Sequence, residues 1–111
     1  MTNEEAMAKQ WLVIRNIFYL LKKQKKKIGD MENSVGVTKG YFSRCGYGSK
    51  SPISFPTMLV AADYVNMSLQ ELSSRDIEKE NELEDLEEQI SKLERKRAEL
   101  LEERKSEGEK G

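Results

Sequence analysis

Within the seven residues Thr38-Lys39-Gly40-Tyr41-Phe42-Ser43-Arg44 stand an ammonium, a guanidinium, two hydroxyls and a phenol. These groups recognise anions and base edges; none of them makes or breaks bonds unaided. A guanidinium donates two parallel hydrogen bonds to guanine, whereas an ammonium is a less directional donor. Hydroxyls and backbone amides hold phosphates and set register. The rest of the chain offers little else. It has no histidine and one cysteine, and no clustered ligand spacing of the kind that holds zinc. Its many carboxylates fall on a stretch that reads as a solvated helix, without the base or pocket signature of a catalyst. The expectation is a binding protein with no catalysis, no metal, no cofactor and no small-molecule ligand.

Something must present those residues, and the flanking pattern predicts two short helices joined by a tight turn. Met31 and Val35 stand four apart and share one helix face. Val35-Gly36-Val37-Thr38 reads as an apolar residue, a stop, an apolar residue and a new start. Glycine tolerates the left-handed backbone that ends a helix, and threonine can cap the next. Phe42 and Cys45 follow three apart and can pack back onto the first helix, which makes Cys45 a small core residue. A pair of this kind is a helix-turn-helix, whose second helix usually enters the DNA major groove.

Charge is divided along the chain. Residues 1–74 hold ten Lys/Arg against six Asp/Glu, a balance of +4, while residues 75–111 hold nine against fourteen, a balance of −5. The near-neutral total of −1 thus hides a basic front and an acidic back, with a boundary near Ser73-Ser74. A lone cysteine and the absence of a signal-peptide pattern suggest a cytoplasmic, nucleoid-associated protein. No apolar run approaches the roughly 20 residues that span a bilayer, so no membrane partner is expected.

The first helix is expected from Thr2 or Asn3, with Thr2 and Glu5 at capping-box spacing. Met7, Trp11, Ile14, Phe18 and Leu21, widened by Val13, Ile17 and Leu20, give it a broad buried face. It ends in Lys22-Lys23-Gln24-Lys25-Lys26-Lys27. Two readings of that run stand side by side, a solvated helix end and an attractor of phosphate. Gly46-Tyr47-Gly48-Ser49-Lys50-Ser51-Pro52 is a loop by composition; it lacks the Gly-Lys-Ser/Thr ending and the preceding strand of a nucleotide-binding loop. Ser54 caps a fourth helix with Pro56 in its first turn, and Phe55, Met58, Leu59, Ala62 and Val65 are its expected buried side. Asn66 terminates it, and Ser68 with Glu71 caps a short fifth, with Leu69 and Leu72 inward.

Over residues 17–72 this pattern resembles the Cro and lambda-repressor type of helix-turn-helix domain, the XRE family of bacterial and phage regulators. The resemblance is carried by Val35-Gly36-Val37-Thr38, Tyr41-Phe42-Ser43-Arg44, Gly48 and Pro52, Ala62-Asp63, Met67-Ser68-Leu69 and Glu71-Leu72. It implies an all-α, five-helix domain over 1–74 and a sequence-specific, double-stranded DNA-binding regulator, a repressor acting by operator occupancy. It implies DNA contacts by Thr38, Lys39, Gly40, Ser43 and Arg44. Lys39, Gly40 and Arg44 are the base-reading candidates; Lys27, Thr38, Tyr41, Ser43, Ser49, Lys50 and Ser51 are the backbone-holding ones. For Arg44 an ion pair with Glu32 or a plain phosphate contact stands as the alternative, and for Tyr41 half-buried packing. The chain departs from the family's usual glutamine at Ile28, its alanine at Glu32 and its carboxylate near Gly46. Glu32 is therefore expected to reach solvent or pair with a base such as Arg44. Trp11 and Met7 lie upstream of the family's core and are expected to meet the C-terminal segment or a second subunit.

Residues 75–105 read as an acidic coiled-coil helix. Leu83, Leu86, Ile90, Leu93 and Leu100 alternate by three and four, with Arg97 and Arg104 continuing the register. Isoleucine at a first position and leucines at fourth positions favour a parallel homodimer. The flanks do not: Glu82 would face Glu87, and Gln89 would face Glu94. Antiparallel pairing, a different partner helix, or docking on the chain's own basic domain are the other outcomes. The alternative function is accordingly an antitoxin-like or adaptor module whose C-terminal helix binds another protein. Residues 106–111 are expected to be a disordered tail.

Overall fold

In a computed structural model the described residues, 1–110 with side chains through Ser106, form helices and no strand. The order is α1 (Asn3–Lys23), α2 (Ile28–Val35), α3 (Tyr41–Arg44), α4 (Phe55–Tyr64), α5 (Leu69–Ser74), α6 (Ile77–Glu80) and α7 (Glu82–Lys110). They divide into two units, Met1–Glu78 and Lys79–Gly111. The division falls a few residues beyond the composition boundary near Ser74, because Ile77 is buried with the first unit. No helix of the described residues is long and apolar enough to cross a membrane.

Helix starts follow from side-chain caps. The Thr2 hydroxyl accepts from the Glu5 amide at 3.1 Å, Ser54 from Thr57 at 3.3 Å and Ser68 from Glu71 at 3.1 Å. Each cap satisfies an amide that the first turn leaves without an intrahelical partner. The ends use left-handed residues. Gly36 closes α2 at φ 86°, while Lys25 and Asn66 adopt φ 56° and 59° after α1 and α4.

The core of the first unit forms where α1 meets the shorter helices. Val13, Ile14, Ile17 and Leu21 of α1 pack with Met31, Phe42, Cys45, Ile53, Ala61, Ala62, Val65, Leu72 and Ile77. On α4 the inward side is Met58, Ala61, Ala62 and Val65. The expected burial of Phe55 and Leu59 is not found; they are 64% and 45% exposed, beside Val60 at 44%. The buried positions on α4 are instead the small Ala61 and Ala62.

Two amides on α1, Gln10 and Asn16, and that of its C-cap, Gln24, fasten three separate segments. Gln10 donates to the Ser51 carbonyl at 2.9 Å and the Cys45 carbonyl at 3.3 Å, and accepts from the Ile53 amide at 2.8 Å. Asn16 donates to the carbonyls of Leu72 and Arg75 and accepts from the Ile77 amide. Gln24 donates to the Val65 carbonyl at 2.8 Å. Trp11 packs within the first unit. Its indole N–H donates to the Ser49 carbonyl at 3.0 Å, and its ring lies 5.3 Å from that of Tyr47.

The second unit contains α7, 29 residues long, or about 43 Å at helical rise. Its backbone is helical as far as Lys110, into the stretch where a tail was expected. Gly111, the last residue of that expectation, lies outside the described residues.

Candidate nucleic-acid interface

Met31 and Phe42, both fully buried, anchor α2 and α3. The corner between these helices differs from the expected one. Helix was expected from Thr38, but α3 is one turn, Tyr41–Arg44, and its N-cap is Gly40 at φ 83°. A left-handed residue at 40 interrupts the right-handed run, so Thr38-Lys39-Gly40 form a turn of their own. The Tyr41 amide reaches the Thr38 carbonyl at 3.1 Å. The Thr38 hydroxyl is therefore not a helix cap; it accepts from Arg44 Nη2 at 3.1 Å.

Arg44 folds back over this turn. Its Nη1 donates to the Lys39 carbonyl at 3.3 Å. A side chain at Gly40 would stand 3.0 Å from Arg44 Nη1 as well as requiring a positive φ. Glycine here leaves space for the guanidinium, a role its place in the sequence did not reveal. Nothing joins Arg44 to Glu32. That carboxylate does not reach solvent either: Glu32 is 2% exposed, and its Oε2 is buried without a hydrogen-bond partner.

Lys39, Ser43 and Arg44 are exposed beside the turn, with Thr38. Tyr41 is half-buried, its ring edge-on to Phe42 at 5.4 Å. Desolvation, and then its hydrogen-bonded neighbour Cys45, raise the Tyr41 phenol above its ordinary value. In the following loop Lys50 and Ser51 are exposed. Ser49 serves the loop itself: its hydroxyl accepts from the Ser51 amide at 3.1 Å and its carbonyl is held by Trp11. The lysine run separates into roles. Lys26 donates to the Tyr64 carbonyl at 2.8 Å and sits 4.8 Å above that ring, closing the C-terminal end of α4. Lys27 is exposed at the N-cap of α2.

On α7 the stripe Leu83, Leu86, Ile90, Leu93 and Leu100 is 49–69% exposed, and Leu101 beside it is 53% exposed. No group of His, Cys, Asp and Glu suited to a metal occurs among the described residues. Comparison with known proteins gives no match to a family model, to a curated protein or to a solved structure.

Proposed function

We propose that the protein is a sequence-specific, double-stranded DNA-binding regulator of the Cro and lambda-repressor kind, acting by occupying its operator. The observation that supports this most is the corner itself. Two helices fixed by fully buried Met31 and Phe42 carry an exposed edge of Thr38, Lys39, Ser43 and Arg44, with Lys50 and Ser51 exposed in the loop beyond. On this reading Lys39 and Arg44 meet base edges, Gly40 admits close approach, and Thr38, Tyr41, Ser43, Lys50, Ser51 and Lys27 hold the sugar-phosphate backbone. Because α3 is a single turn, base contact falls on the turn and α3 together. Pairing through α7 multiplies affinity by engaging two half-sites at once.

Selection of bound duplexes from a random pool, followed by fluorescence anisotropy on the recovered sequence, tests the reading. A recovered palindrome bound more tightly than random duplex supports it. Failure to bind any duplex in dilute buffer overturns it. The exposed Phe55, Leu59 and Val60 on α4 favour the second reading, an adaptor that engages another protein.

A further inference from the structure

We infer that α7 pairs with α7 of a second copy, and that the two run antiparallel. This rests on the pairing part of the proposed function and not on its DNA part. The seam is the apolar face of α7, whose six large side chains are exposed in the single chain and span about 27 Å.

Charge decides the direction. Residues 82–91 carry five carboxylates and no base, whereas residues 92–101 carry four bases against two carboxylates. Side by side in the same direction, the acidic half lies on an acidic half and the basic half on a basic half. Reversed, each acidic half lies on a basic one. The seam itself agrees. Arg97 occupies a first position of the heptad, so a parallel pair sets Arg97 against Arg97 of the second copy, with the same clash at Arg104. Reversal about a point between Ser91 and Lys92 makes the layers Leu83 with Leu100, Leu86 with Arg97, and Ile90 with Leu93, each occurring twice. Arg97 then lies across from an aliphatic side chain flanked by Glu87, along which its stem can pack while its head reaches the carboxylate. Arg104 falls beyond the paired layers. The flanking positions weigh slightly the other way, with Glu82 beside Glu87 when parallel but Glu87 beside Glu94 and Glu82 beside Glu103 when reversed, so the direction rests on the division of charge between the halves and on the arginines of the seam.

Disulfide trapping tests the direction on the full chain, because Cys45 is buried and does not compete. Leu83→Cys and Leu100→Cys are prepared separately, one with a mass tag, and oxidised alone and mixed. The antiparallel pair gives a covalent dimer only in the mixture, of mixed mass. A covalent dimer from either variant alone overturns the proposal, as does a monomer mass for the unmodified chain in sedimentation. Should the leucine changes weaken the pair, spin labels on outward-facing Glu84→Cys supply the reading. The antiparallel pair separates them by at least about 22 Å along the axis, whereas a parallel pair sets them level across helices about 8–10 Å apart. A parallel pair that still binds duplex would overturn this direction and leave the function standing; an antiparallel pair blind to every duplex would do the reverse.

Discussion

Replacing Glu32 by alanine is expected to stabilise the first unit. The carboxylate is 2% exposed and its Oε2 has no partner. Leaving a buried polar oxygen unsatisfied costs about 1–3 kcal/mol, and more for a charged group. Its place adds to this. The Gly36 and Val37 amides both reach the Glu32 carbonyl, so the side chain belongs to the last turn of α2, where the helix dipole disfavours negative charge. Against these gains, alanine removes one methylene, worth about 0.8 kcal/mol, and leaves a space costing roughly 1 kcal/mol. Alanine also returns a few tenths of a kcal/mol in helix propensity. The balance favours the variant by about 1–2 kcal/mol, which in a unit of this size raises Tm by roughly 5–15 °C. Thermal unfolding followed by circular dichroism, and urea titration at constant slope, measure it. Glu32→Gln keeps the shape and removes the charge, and should fall between the two. An unchanged or lower Tm for Glu32→Ala would show that the carboxylate has a partner in solution and refute the reasoning.

Arg44→Ala is expected to weaken binding to a selected duplex about 5- to 150-fold, in keeping with roughly 1–3 kcal/mol for one guanidinium on a base, and to affect random duplex much less; equal losses would reassign it to phosphate contact. Truncation after Ser74 should destabilise the first unit by several kcal/mol, since it removes buried Ile77 and strips Asn16 of its bonds to Arg75 and Ile77. Truncation after Glu80 should leave stability intact, both read by urea midpoint. The raised Tyr41 phenol keeps its proton longer in the folded chain than in the unfolded one. Its share of stability is therefore fully present below the unfolded value near 10.0 and declines as pH rises through the folded value. Tyr41→Phe should flatten that alkaline decline in unfolding measured from pH 9 upward; an unaltered slope counts against the shift.

Capping and termination are local chemistry, and for that reason Thr2, Ser54, Ser68, Gly36 and Asn66 were legible in the sequence. The apolar stripe of α1 was legible in part, because its spacing repeats over about four turns; Val13, Ile14, Ile17 and Leu21 are buried, while Met7, Trp11 and Phe18 at its margin are half-buried. What escaped was set by tertiary context. Gln10, Asn16 and Gln24 look like ordinary surface amides in a helical pattern, yet each is used by a carbonyl between 41 and 59 residues away. Phe55 and Leu59 have the spacing of a buried face, but alanines took that place. The start of α3 was misplaced because a threonine after a stop suggests a cap, while Gly40 two residues later holds the backbone in a conformation no helix admits. Of the candidate interface, the exposed cations could be read from residue type alone. The fold of Arg44 over Gly40 could not, since it depends on a dihedral angle.

The amide fastenings of α1 carry no formal charge. Dissolved ions that screen lysines and arginines from a polyanion leave such neutral dipole pairs almost untouched. Raising ionic strength should therefore loosen the outer surface while the scaffold beneath it holds. Under the proposed function, the steepness of that release then counts phosphates displaced, uncontaminated by melting of the protein.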